Sequence, residues 1–194
     1  MSFLYFAYGS NMLPARLQAR CSTARVIGTA TAKGYEINFT KPGKDGSGKA
    51  TLVRSVVHSA ATPGTLFEIE KSELHLLDHA ESAGWGYERD NDFHVTLAAT
   101  GETTAVTTYL AIMNDPDLEP FDWYLALILA GSHHHSLPHE HHQRLQARSY
   151  VVDMDHSRDG RTEALRALSH HGYDNHMSLL PATVTQPLDG KSDD

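Results

Sequence analysis

The sequence predicts an α+β fold built on a small, mainly antiparallel, barrel-like sheet. β-Prone runs of irregular length recur along most of the chain, with few helical patterns between them. One pair of runs is especially clear. Tyr87, Phe93, Val95 and Leu97 share one parity against Glu88, Asp90, Asp92, His94 and Thr96, then Thr100-Gly101-Glu102 turns the chain into a partner strand over 103–113.

The bulk composition bounds the function. With 194 residues the chain forms one domain, or one domain plus an appendage. We place the main domain at 1–150 and a C-terminal extension at 151–194. A hydrophobic content of 40% with mixed charges fits an ordinary globular protein. The net charge of −8 argues against nucleic acid and anionic membranes as partners. Cys21 is the single cysteine, so an internal disulfide and a zinc–thiolate cage are excluded, and it reads as an incidental small residue. The N-terminus lacks the pattern of a secretory signal, and the apolar run 123–130 is too short to span a bilayer, so a cytoplasmic location is expected.

In chain order, residues 3–8 form an apolar strand that ends abruptly in Gly9-Ser10-Asn11, and Pro14 opens a helix leading into Gln18. A strand, a polar Gly turn and a helix start leave backbone N–H groups free to hold an anion or oxyanion, although many such turns bind nothing. Residues 26–40 contain two β-prone pieces separated by Lys33-Gly34. The basic, Gly-rich run 41–49 lacks the terminal Lys-Ser/Thr of a P-loop and reads as a mobile, solvated loop. A strand over 52–58, a turn at Pro63-Gly64 and a strand over 65–69 follow. Next comes a helix over 71–81, with Ser72 as N-cap and Gly84 just past its end. After the hairpin, helices are expected near 121–130, 138–148 and 161–169, and disorder at 189–194.

Glu81 is the candidate with the sharpest physical reason. Leu74, Leu77, Asp78 and Glu81 fall at i, i+3, i+4 and i+7, a single helical stripe. The two leucines turn that stripe inward and carry the carboxylates with them. A carboxylate near a helix C-terminus in a desolvated place meets the conditions required of a general acid or base near neutral pH. Against this, a fraying last turn would let Glu81 reach water, and Asp78 could simply partner a backbone N–H.

Residues 5–12, Tyr-Phe-Ala-Tyr-Gly-Ser-Asn-Met, resemble the signature of the γ-glutamylcyclotransferase-like family, which includes the AIG2-like proteins. Leu77-Asp78-x-x-Glu81, followed by a Gly-containing turn to Tyr87 and a strand, resembles the region that carries that family's catalytic glutamate. Thr108-Tyr109-Leu110 is similar to the strand whose tyrosine lines the substrate cavity, and Leu137-Pro138 matches a Leu-Pro after the long helix. The resemblance covers roughly 3–150 and stops there.

It implies a small β-barrel with flanking helices and a central cavity, often dimeric, so a homodimer falls within expectation. The implied reaction is intramolecular: the α-amine of a γ-glutamyl group attacks its own γ-carbonyl, forming 5-oxoproline and releasing an amino acid or amine. By resemblance, Glu81 is the catalytic base and acid. Tyr5, Tyr8, Gly9, Ser10, Asn11, Met12, Tyr87 and Tyr109 form the substrate site. No metal or cofactor is implied, and the partner is a small γ-glutamyl molecule. The chain departs from the family at Ser82, where Gly is usual, and at His141, which replaces a tyrosine.

Other readings stand beside this one. Among 14 histidines, His75 and His79 have zinc-compatible i, i+4 spacing but lie off the leucine stripe, and the run His133-His134-His135 lacks defined site geometry. Ser10 has no convincing His–Asp partners and no Gly-x-Ser-x-Gly elbow. Two alternatives stand beside the cyclisation: a protein that binds γ-glutamyl or acidic small molecules without catalysis, and, less favoured, a His-dependent metal hydrolase. Trp85, an isolated aromatic near the site, reads as packing.

Overall fold

The computed structural model describes residues 1–181. Seven strands and five α-helices run in the order β1 (Ser2–Ala7), α1 (Pro14–Gln18), β2 (Arg25–Lys33), β3 (Tyr35–Pro42), β4 (Gly48–Arg54), β5 (Ala61–Glu70), α2 (Leu74–Glu81), β6 (Tyr87–Leu97), β7 (Thr103–Ala111), α3 (Asp122–His134), α4 (His139–Gln146) and α5 (Asp159–His170). Short 3-10 turns occupy Ser10–Met12, Lys71–Glu73 and His176–Leu179. Strands β1-β5-β2-β6-β7 close into a barrel, and β3-β4 form a separate hairpin. All barrel pairs are antiparallel except β1 with β7, which closes the ring in parallel through Tyr5 opposite Thr107. Closure leaves the five strands without an open edge.

The alternation read in β6 is real: Tyr87, Phe93 and Val95 are buried, while Glu88, Asp92 and His94 are exposed. Helix α3 is apolar on every side, and all its residues from Asp122 to Ser132 are buried. The segment past residue 150 packs onto α3 through Ala164, Ala167 and Leu168. Polar bonds add to this: Trp123 donates to Asp153 at 2.8 Å, and His176 pairs with Asp122 at 2.8 Å. Residues 189–194, expected to be disordered, lie outside the described part of the chain.

Several local expectations are corrected. Both ends of the run 41–49 belong to the hairpin strands, and only 43–47 form the loop between them, with Lys44 and Gly46 exposed. Lys49 bonds Asp45 at 2.7 Å and lies 4.7 Å from the ring centres of both Trp123 and Tyr124. The strand expected over 52–58 accordingly starts earlier and stops at Arg54. Pro63-Gly64 is not a turn but part of β5, where a Cβ on Gly64 would sit 2.4 Å from the Ala7 carbonyl oxygen. Here glycine serves close strand approach, not chain reversal. The helix over 71–81 splits into the 3-10 turn and α2. Ser72 caps neither, because its hydroxyl reaches back to Glu70 at 3.4 Å.

Helix α2 ends where Ser82 takes a left-handed conformation, with φ 51° and ψ 48°. A glycine there would suit that backbone at no steric cost. Ser82→Gly is therefore expected to stabilise the fold by about 0.5–1 kcal/mol, as relief of the left-handed penalty outweighs the added unfolded-state entropy. A thermal melt should show the midpoint rising.

Candidate active site

Four elements converge on one hollow. Strand β1 delivers Tyr5 and then the Gly9-Ser10-Asn11 turn, α2 ends on Glu81, and β6 and β7 bring Tyr87 and Tyr109. The resulting narrow hollow, about 30 Å³, is lined by Tyr5, Tyr8, Gly9, Ser10, Asn11, Glu81, Tyr87 and Tyr109, together with Ala50 and Tyr124. It shares Ser10, Glu81, Tyr87 and Tyr124 with a wider groove of about 340 Å³.

Leu77 is fully buried and anchors α2, and the turn that follows brings Glu81 inward with its side chain 14% exposed. Asn11 Nδ2 donates to Glu81 Oε1 at 2.7 Å and to the Tyr5 hydroxyl at 3.1 Å. The Arg20 guanidinium donates to Asn11 Oδ1 at 2.9 Å and lies 3.4 Å from Glu81 Oε1. Arginine can only donate, so the amide oxygen of Asn11 must face it, which points the NH₂ group at Glu81 and Tyr5. Both contacts to Glu81 use Oε1. No group among the described residues donates to Oε2, which stays free for an incoming molecule.

Asp78, the other inward carboxylate, does not serve a backbone N–H. It accepts the Tyr109 hydroxyl at 2.8 Å and pairs with Arg89. The remaining hydroxyls are similarly committed: Tyr87 donates to the Ala50 carbonyl at 2.7 Å, and Tyr8 donates to the Tyr109 carbonyl. The Ala50 N–H in turn donates to the Tyr124 hydroxyl at 3.0 Å. Burial, reinforced by the Glu81 charge, holds the Tyr5, Tyr8, Tyr87 and Tyr109 hydroxyls well above the ordinary tyrosine range, and burial pushes Tyr124 up to about 12. These rings are therefore neutral at any physiological pH and act as walls and hydrogen-bond relays, not as bases.

The Gly9-Ser10-Asn11 turn is short and tight. Ser10–Met12 forms a single 3-10 turn in which the Met12 N–H bonds the Gly9 carbonyl at 3.0 Å, so the Ser10 and Asn11 N–H groups stand at its open start. A Cβ on Gly9 would meet Ala50 Cβ at 3.2 Å. Met12, expected in the substrate site, is instead fully buried beside Gly131 of α3. It follows the turn by one step and points the opposite way, into the core.

Other sequence candidates lie elsewhere. His75 and His79 are exposed on the outer face of α2. His141 lines a different hollow, with Pro138, Arg144 and Leu145, so its replacement of a tyrosine does not alter the Glu81 site. Cys21 is buried, and burial raises its thiol to about 11, which keeps it protonated. Trp85 is not packing: it is 90% exposed. Trp85→Ala is expected to change stability by less than about 0.5 kcal/mol in chemical denaturation. The sequence reading missed Tyr124, Arg20 and Ala50 as site members. Tyr124 was hidden in an apolar helix whose only signal was a hydroxyl inside a buried run.

Comparison with known proteins bears on the family and the fold. The AIG2-like family profile matches residues 63–145. A γ-glutamylcyclotransferase of Homo sapiens is 30% identical over 155 residues, covering 75% of this chain and 78% of that protein. The chain belongs to the γ-glutamylcyclotransferase-like family. Its counterpart from Bos taurus is 28% identical over 151 residues, with the same coverage of each chain. A solved structure of a γ-glutamyl cyclotransferase superposes with a TM-score of 0.76 at 23% identity, covering 86% of this chain and 99% of that one, a likeness of fold. Family membership makes this chain a cyclotransferase-type enzyme. No helix among the described residues is long and apolar enough to cross a membrane.

Proposed function

We propose that the protein cyclises a γ-glutamyl group to 5-oxoproline and releases the amine formerly attached to the γ-carbonyl. The observation that carries this reading is Glu81 Oε2, a free carboxylate oxygen at the junction of the narrow hollow and the wide groove. Ring closure supplies its own nucleophile: the tethered α-amine benefits from high effective molarity once it is held near the γ-carbon. That amine is an ammonium at neutral pH and must lose a proton before it can attack. Glu81 takes it through Oε2, while Asn11 and Arg20 fix the carboxylate through Oε1.

As the amine adds, the γ-carbonyl oxygen gains negative charge. The open N–H groups of Ser10 and Asn11 are the donors placed to receive this oxygen or the substrate α-carboxylate. Collapse of the tetrahedral intermediate breaks the bond to the leaving nitrogen. Glu81 gives that nitrogen the proton it holds, then relays to it the second proton released by the ring nitrogen, so the amine departs as an ammonium and the lactam keeps one N–H. Tyr5, Tyr8, Tyr87 and Tyr109 shape the hollow and keep competing water out. No step requires a metal or cofactor.

Incubation with a panel of γ-glutamyl amino acids and amines, read by mass spectrometry, tests the activity. The expected result is 5-oxoproline in equal amount with released amine. A protein that only binds would release neither, yet would melt at higher temperature with the same compounds.

A further inference from the structure

The groove beside Glu81 is strongly basic although the chain as a whole carries a net charge of −8. Arg16, Arg20, Lys41, Lys44, Lys49 and Arg158 line it, against the two carboxylates Asp45 and Glu81. Four of the six cations already have partners. Arg16 bonds Glu163 at 2.8 Å, Lys49 bonds Asp45 at 2.7 Å, Arg158 bonds Asp153 at 2.8 Å, and Arg20 lies against Glu81 and Asn11.

Lys41 and Lys44 have no ion pair among the described residues. Lys41 is half-buried, with its ammonium 5.0 Å from the Tyr87 ring centre, beside the wall of the hollow. Burial draws its pKa down, a penalty that an anion bound in the groove would reverse. Deeper in, Arg16 is 7% exposed and its Nε–H is buried without an acceptor. Two ammonium groups, those of Lys41 and Lys44, thus line one groove without a matching carboxylate among the described residues. Part of the groove wall comes from the segment past residue 150, which contributes Arg158 and Gly160 and, through Glu163, holds Arg16.

We propose that this groove receives the departing amine, and that Lys41 and Lys44 select one bearing two carboxylates, an acidic amino acid such as glutamate or aspartate. The proposal rests on the cyclisation reading and assigns its leaving-group side. A leaving group with only its α-carboxylate would occupy one of the two free ammonium groups and leave the other unmatched. One with a second carboxylate satisfies both, and its hydrogen bonds are charge-assisted.

The test compares γ-glutamyl-glutamate with γ-glutamyl-glutamine, which have nearly the same shape and α-carboxylate and differ in one charge. The wild-type kcat/KM is expected to favour γ-glutamyl-glutamate by about tenfold or more at low salt, the worth of one charge-assisted contact. The preference should shrink in about 0.5 M sodium chloride, where exposed charges are screened. Lys41→Gln and Lys44→Gln should each pull the ratio toward one, and Lys44→Glu further still. A wild-type ratio of one at low salt, or a ratio indifferent to both lysines, would overturn the proposal. If neither dipeptide is cyclised, it is the cyclisation reading that fails. Calorimetric titration of the same two compounds then decides the groove: tighter binding of γ-glutamyl-glutamate that weakens in Lys41→Gln supports it, and equal affinities refute it.

Discussion

Glu81→Gln is expected to lower the rate of 5-oxoproline formation by about a thousandfold, within the roughly 10²–10⁴ that a positioned general base contributes. The substitution is close to isosteric. Asn11 and Arg20 both contact Oε1, and a carboxamide oxygen can accept from the same two donors. Only the free oxygen is replaced, by an NH₂ group that cannot take a proton. The fold should persist, with a thermal midpoint within a few degrees of wild type. Substrate should still bind, because the hollow and the cationic groove remain. A loss of rate accompanied by unfolding would instead indicate a structural role for Glu81.

The second large effect falls on stability. Gly131 lies inside α3, where helix propensity alone would make Gly131→Ala stabilising by about 1 kcal/mol. Packing reverses that sign. A Cβ at this position would stand 2.7 Å from Met12 Cβ and 3.1 Å from the Leu13 backbone nitrogen. Both neighbours are fully buried, so neither can move aside cheaply. Gly131→Ala is expected to destabilise the protein by about 2 kcal/mol in chemical denaturation, the usual scale of overpacking. It should also slow turnover, because the pushed residues are the last of the Ser10–Met12 turn and the one after it. A stabilised variant would show that the turn is not held by the close approach of α3.

The parts of this molecule that sequence reading reached are those written locally. Strand β1 is an aromatic and aliphatic run stopped by Gly-Ser-Asn, and β6 alternates cleanly. The Leu74, Leu77, Asp78, Glu81 stripe follows from helical spacing alone. The parts it did not reach depend on partners distant in the chain. Pro63-Gly64 looks like a turn until the Ala7 backbone is seen to need the space of a missing side chain. The run 41–49 looks solvated until Trp123 and Tyr124 cover Lys49. Met12 sits in the signature motif, yet one step of a 3-10 turn sends it to the core. Arg20 and Tyr124 join the site only because α1 and α3 fold over the same turn. In each case the missing information was which surface would be covered, and by what.

Intramolecular attack and hydrolysis of the γ-glutamyl bond leave different isotopic traces. Turnover of a γ-glutamyl amino acid in ¹⁸O-labelled water, followed by mass spectrometry, separates them directly. Cyclisation predicts unlabelled 5-oxoproline, because the oxygen of the lactam is the original γ-carbonyl oxygen. Glutamate carrying ¹⁸O would mean that water, not the tethered amine, attacks the γ-carbon, and would contradict the role of Glu81 as the base for ring closure.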